Sequence, residues 1–203
     1  MKIDIVLSGV GGQGIITMGI VIGDACTKLG VNIKIAETHG MAQRGGSVEV
    51  FVRIGDIEAP LIPITSADYV VALEMIEALR AIRYLKKCGW MILSDLYLPP
   101  PGVENIPTKK QILDVLSKSP INILTIDTQD IINEIGDTRT INMIMLGALL
   151  AFQEISSIIP IEIVEDVVEH ILGKTNRFAL TAGYRQALEK LNRKNYISNC
   201  ISL

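Results

Sequence analysis

A short apolar run, Ile3 to Leu7, stops at Ser8-Gly9-Val10-Gly11-Gly12-Gln13-Gly14, and a helical stripe begins at once. That order constrains the fold more than any other feature of the chain. Ile15, Ile16, Gly19, Ile22, Gly23 and Cys26 recur at steps of three and four, the period of a helix with one buried face. Gly30 offers the left-handed residue that ends such a helix, and Asn32 to Ala36 reads as a second strand. Strand, glycine turn, helix and parallel strand make a βαβ unit. The sequence therefore predicts an α/β, Rossmann-like fold with a mostly parallel sheet. Composition agrees: hydrophobic residues are 49% of the chain but aromatics only 4%, so Ile, Val, Leu and Ala must build the core. A sheet covered by helices on both faces needs that kind of core.

Further on, Ser47 to Ile54 alternates as a strand, with Val48, Val50 and Val52 on one face and Glu49, Phe51 and Arg53 on the other. Strands are expected at Tyr69 to Leu73, Trp90 to Ser94 and Ile121 to Ile126, and a helix over Glu74 to Lys86. Asp127 or Thr128 caps a short helix reaching Ile135. From about residue 140 the period is helical throughout, with helices expected over Ile141 to Glu154, Ile161 to Leu172 and Phe178 to Asn192. Pro160 suits the start of the second. Residues 1–203 read as one domain whose C-terminal part is helical. On the helix from Glu74, the spacing of Glu74, Glu77, Arg80 and Arg83 suggests a solvated or interfacial salt-bridged face. Lys174-Thr175-Asn176-Arg177 reads as a polar loop, Met143 and Met145 as core, and His170 as a charge complement at a helix end.

Several classes drop out. The net charge of -3 and the lack of a basic stripe give no sign of nucleic acid or a membrane surface. The three cysteines, Cys26, Cys88 and Cys200, are too widely spaced for a CxxC pair, which argues against a self-contained iron–sulfur or zinc site. Their odd number and the absence of a signal-peptide pattern at Met1-Lys2-Ile3-Asp4 suggest a cytoplasmic setting. The longest apolar run, Ile141 to Phe152, is too short to span a bilayer.

Two segments carry chemistry. Gly9-x-Gly11-x-x-Gly14 lies between strand and helix, where backbone N–H groups and a helix N-terminus face an anion. With Glu37 at the end of the second strand, this spacing favours a nicotinamide or flavin dinucleotide; close packing of helix on strand explains the glycines equally well. Against the dinucleotide stands the segment after Glu37, where a loop leads straight into an alternating strand and leaves little room for a second crossover helix. That loop is Glu37-Thr38-His39-Gly40-Met41-Ala42-Gln43-Arg44-Gly45-Gly46. Arg44 can clamp a carboxylate or phosphate and Gln43 can orient the same group, or Arg44 can simply pair with Glu37. His39 titrates near neutrality and can move protons or cap a backbone carbonyl. No residue stands out as the catalytic base.

The strings Gly9 to Gly14 and Glu37 to Val48 resemble the gamma-type module of the 2-oxoacid:ferredoxin oxidoreductases. Pro60 to Pro63, Ala67-Asp68, Glu74 with Glu77 to Arg80, and Asn142 to Ala148 extend the likeness over Ile3 to about Leu188. His39-Gly40-Met41-Ala42 follows the aryl-pyruvate branch, whose substrates include indolepyruvate, where the 2-oxoglutarate branch usually reads Tyr-Gly-Pro-Glu. The resemblance implies a subunit that binds no cofactor by itself and is inactive alone. A larger partner would carry thiamine diphosphate, Mg and [4Fe–4S] clusters, with CoA as cosubstrate and ferredoxin as acceptor. It also implies that the glycine loop and the 37–46 loop lie at the subunit interface. There Arg44 and the amides of Gly11 to Gly14 would face an anionic group of CoA or of the 2-oxoacid. The alternatives are a gamma subunit of another 2-oxoacid (pyruvate or 2-oxoglutarate) ferredoxin oxidoreductase, a self-sufficient dinucleotide-binding oxidoreductase, and a module that kept the fold but lost its ligand.

Overall fold

A computed structural model describes residues 2–39, 45–100 and 102–200. Seven strands form one sheet: β1 (Ile3–Val10), β2 (Ile33–His39), β3 (Ser47–Ile54), β4 (Ala67–Ala72), β5 (Leu85–Ser94), β6 (Asn122–Ile126) and β7 (Ile197–Ser198). They lie in the order β2-β3-β1-β4-β5-β6-β7. β1, β4, β5 and β6 are mutually parallel, and β3 pairs antiparallel with both β1 and β2. β2 thus runs parallel to β1, as the opening unit requires, but β3 is inserted between them. The alternating valines of β3 explain the insertion: Val48, Val50 and Val52 are buried on one face and Phe51 on the other, which suits an interior strand and not an edge.

The helices split by face. α1 (Ile15–Lys28), α4 (Thr128–Ile135), α5 (Ile141–Leu150), α6 (Gln153–Ser156), α7 (Ile161–Leu172) and α8 (Lys174–Asn192) cover the face presenting Ile5, Leu7, Val71 and Ile92. α2 (Met75–Ala81) and α3 (Lys109–Ser117) cover the face presenting Val6, Val70, Met91 and Leu93. The helical C-terminal part packs on the same core, as expected. α5 is buried along its whole length, including Met143 and Met145. No helix among the described residues is long and apolar enough to cross a membrane.

The elements depart from the residue pattern at several points. The helix expected to reach Lys86 ends at Ala81, and after a short 3-10 turn Leu85 begins β5. Lys174 to Arg177 is the first turn of α8, not a loop: Arg177 bonds Glu165 and Glu169 of α7 and so draws the helix start inward. Asp127 precedes α4, but its side chain makes no cap; Thr128 N and Oγ1 both donate to Asp95 Oδ1, at 2.9 and 2.6 Å. Cys88 and Cys200, far apart in sequence, are joined by a disulfide because β7 returns the tail to the outer edge of β6.

The chain leaves β1 for α1 on one face and leaves the adjacent parallel β4 for α2 on the other. This reversal opens a crevice at the carboxyl ends of the two strands, where open α/β sheets bind ligands. Leu73 N donates to Ser8 O at 2.9 Å across its floor.

Candidate functional site

Val10 to Gly14 form one rim of the crevice. Gly12 sits at φ +103 and Gly14 at φ +78, backbone states costly for other residues. At Gly12 a Cβ would point into open space, whereas at Gly14 it would lie 2.3 Å from Asn142 Nδ2. Asn142, buried at the start of α5, donates that amide to Gly14 O at 3.2 Å. Gly14 is also the N-cap of α1 and offers no side-chain cap, so the first-turn amides of α1 keep their positive end toward the crevice.

The loop's own hydrogen bonds decide how much of it can meet a ligand. Gly11 N donates to Gly46 O at 2.8 Å, and Gln13 N donates to Val10 O at 3.0 Å. Gln13 turns inward, its Oε1 accepting from Val10 N at 2.7 Å. The amides of Gly12 and Gly14 meet no acceptor among the described residues. Of the four amides in Gly11 to Gly14, two are therefore engaged within the described residues and two have no acceptor there. Gly9 serves packing, since a Cβ there would come within 2.6 Å of Ile15 Cδ1.

The second segment meets the first at its base. Gly11 N–H···O Gly46 is joined by Gly45 N–H···O Gly11 at 3.4 Å, so the segment closing the 37–46 loop is tied to the glycine turn. Glu37 and His39 lie in β2, opposite Val50 and Val48, and are part of the strand rather than of a loop. Glu37 is exposed. Because β3 intervenes, β2 stands two strand spacings from β1, roughly 10 Å. A ribose-binding acid belongs on the strand next to β1, so Glu37 does not occupy that position. Gln43 and Arg44 lie outside the described residues.

Beneath the loop, on the α2 face, is a polar group that the residue pattern did not announce. The carboxylate of Glu74 is fully buried and accepts from Ile76 N, Glu77 N and Leu98 N, at 2.7, 3.0 and 2.9 Å. Glu77, also buried, accepts from Ser47 Oγ at 2.5 Å and from Arg80 at 2.9 Å. Burial pushes its carboxyl above the usual range, against the lowering effects of Ser47 and Arg80. Only Arg80 and Arg83 are exposed, so the expected solvated face is half interior. Three backbone donors make the burial of Glu74 tolerable, and spacing on a helix carries no trace of them. Ser8 Oγ, fully buried opposite Glu49, has no hydrogen-bond partner among the described residues. Asn142 is the other site residue that no chemical motif marks; its signals are a polar side chain in an otherwise apolar run and its place in the string shared with the family. Among the described residues no group of three or more His, Cys, Asp or Glu side chains converges as a metal site would.

Fold and site together define a Rossmann-like module with a glycine turn at a topological switch point, braced by the foot of a second loop. Residues 4–186 match the family described as pyruvate ferredoxin/flavodoxin oxidoreductase, and the chain belongs to that family. It is 38% identical over 196 residues to the indolepyruvate oxidoreductase subunit IorB of Archaeoglobus fulgidus, covering 93% of this chain and 96% of that one. Its likeness to the IorB subunit of Pyrococcus horikoshii is 32% over 202 residues, covering 93% and 98%. Among solved structures, the keto/oxoacid ferredoxin oxidoreductase gamma subunit of Geobacter sulfurreducens superposes with a TM-score of 0.70 at 23% identity, covering 92% of this chain and 99% of that one.

Proposed function

We propose that this chain is the small, cofactor-free subunit of a 2-oxoacid:ferredoxin oxidoreductase acting on aryl pyruvates such as indolepyruvate. Family membership and the two archaeal relatives support an oxidoreductase subunit of the 2-oxoacid class. The aryl-pyruvate substrate and ferredoxin as acceptor are the finer part of the proposal. They rest on the names of those relatives and on the His39-Gly40-Met41-Ala42 string. In this reading the chain works in the cytoplasm and is inactive alone. A larger partner holds thiamine diphosphate with Mg and the [4Fe–4S] clusters, and the thiamine supplies the carbanion chemistry of decarboxylation. This chain supplies orientation and electrostatics.

One observation carries the geometric side: the glycine turn and the foot of the 37–46 loop are hydrogen-bonded into a single rim at the switch point. The amides of Gly12 and Gly14, without an acceptor among the described residues, and the N-terminus of α1 favour an anion there. Gly9, Gly11 and Gln13 hold the turn's shape, while Glu37 and His39 at the end of β2, with Gln43 and Arg44 following in sequence, belong to the segment that meets the partner subunit. In this reading the guanidinium of Arg44, in the sequence between β2 and β3, serves a phosphate of CoA or the carboxylate of the 2-oxoacid. The rival dinucleotide reading loses its ribose-binding acid to the inserted β3. In the assembled complex, Arg44→Ala is expected to raise the apparent KM for CoA or for the 2-oxoacid well beyond twofold. Unchanged kinetics in an intact complex would remove Arg44 from the site.

A further inference from the structure

The C-terminal segment is fastened to the sheet at several points. β7 pairs antiparallel with β6, Asn122 opposite Ser198. Ser198 Oγ donates to Asn122 Oδ1 at 2.6 Å, Asn199 Nδ2 donates to Ser119 O at 3.0 Å, and Tyr196 meets Trp90 edge-on with ring centroids 5.0 Å apart. These contacts carry Cys200 to Cys88, 112 residues away in sequence, with Cα atoms 5.5 Å apart and the sulfurs bonded. That Cα separation lies at the usual value for a disulfide.

Cys88 is prepared for this meeting. It sits where the register between β4 and β5 shifts, between the Ala67 and Tyr69 pairings, and it adopts φ +63. A bulge re-aims a side chain out of the strand's alternation, and a left-handed non-glycine residue is uncommon. Cys88 N donates to Pro120 O at 2.9 Å, and Asn122 Nδ2 donates to Cys88 O at 2.9 Å. The segment that receives the tail therefore also holds the bulge in place. Both cysteines are partly exposed, and Cys88 lines a cleft of about 270 Å³ with Lys2, Lys86, Trp90 and Glu154. Cys26 differs in every respect: it is fully buried in the core under α1, and burial pushes its thiol up to about 11.

We propose that Cys88 and Cys200 form a redox-active dithiol site, a reversible latch for the C-terminal tail that exchanges with low-mass disulfides entering the cleft. In the closing direction the Cys88 thiolate attacks one sulfur of R–S–S–R, forms the mixed disulfide and releases RS⁻. The Cys200 thiolate then attacks the Cys88 sulfur, forms the Cys88–Cys200 bond and releases the second RS⁻. Two protein thiols lose two electrons and two protons, and one low-mass disulfide becomes two thiols. A low-mass thiol in excess reverses both steps. With the bond open, the described part of the tail keeps the two-residue β7 pairing, the Ser198 and Asn199 hydrogen bonds and the Tyr196–Trp90 contact, all at the sheet's edge, which places it among the segments that open more readily than the core.

The test uses the full chain, equilibrated under native conditions with hydroxyethyl disulfide or with 2-mercaptoethanol. Native alkylation with intact-mass readout counts free thiols, and amide hydrogen exchange follows residues 195–200 and the β6 strand. The oxidised chain should take no alkyl group. The reduced chain should take two, on Cys88 and Cys200, with Cys26 modified only after denaturation. Exchange over 195–200 should rise at least tenfold on reduction. Cys200→Ser, at the tail's end and clear of the bulge, should show the fast exchange in both buffers. A chain that never forms the bond with hydroxyethyl disulfide overturns the proposal. So does a bond that resists the thiol, or tail exchange that is equal in the two states.

Discussion

Asp4 and Arg53 face each other across β1 and β3 with almost no access to water. Arg53 Nε reaches Asp4 Oδ1 at 2.8 Å, and its other nitrogens reach Asp4 Oδ2 and the carbonyls of Ala59 and Leu61. Removing one member strands the other, so Asp4→Ala should cost about 3–5 kcal/mol in a denaturant titration. Glu77 works in the opposite sense. Its folded pKa lies above the unfolded value because of burial, so the native state holds its proton longer. Its favourable contribution is present at acid pH and lost as pH rises from the ordinary carboxylate range through the raised value. Glu77→Gln keeps a partner for Ser47 and abolishes that loss. The melting temperature of the variant, relative to the parent chain, should therefore rise between pH 4 and pH 7. A difference that stays flat or falls would show that the Arg80 pair outweighs burial. At this scale the sequence was least legible: Glu74 and Glu77 are as polar as any surface residue, and only the backbone donors to Glu74 and the Ser47 and Arg80 side chains on Glu77 reveal an interior pair.

Two helices of the C-terminal part approach closely enough that their glycines become the contact. A Cβ on Gly147 would lie 1.9 Å from Leu180 O, and one on Gly183 would lie 2.0 Å from Ile144 O. Either change to Ala must force α5 and α8 apart, and about 1–3 kcal/mol of destabilisation in thermal or denaturant melts is expected, the cost of an overpacked core. Gly14→Ala meets both a left-handed backbone and the Asn142 amide. It should weaken the rim more than it weakens the fold, through a higher KM in the assembled complex. Elements with a strong apolar period were readable in the residues. β3 spans Ser47–Ile54 and α7 spans Ile161–Leu172, as the pattern predicts, and the helix after the glycine turn ends before Gly30. α3 escaped although Thr108 and Gln111 form a capping box, because only Ile112 and Leu116 are buried and the stripe is thin. β7 escaped because two exposed residues carry no period at all; distant hydrogen bonds define it.

For the molecule as a whole, local pattern yields the list of elements but not their order in space. An inserted β3 and a plain βαβ opening have the same local sequence signals, and the choice lies in pairings made far along the chain. The insertion also separates Glu37 from β1, so the glycine turn has no ribose-binding acid on the neighbouring strand, which supports the proposed anion over a dinucleotide. The candidate site was half legible in the same way: spacing found the glycine turn, but not that two of its amides are spent on Gly46 and Val10. Whether this chain is a cofactor-free subunit completed by a larger partner can be read from the complex that co-purifies with it. The measurement is indolepyruvate-dependent reduction of a viologen dye, with and without CoA. The expected result is a brown preparation containing a larger thiamine-binding chain, with CoA-dependent activity that the isolated small chain lacks. A colourless chain that purifies without a partner and shows no such activity would contradict it.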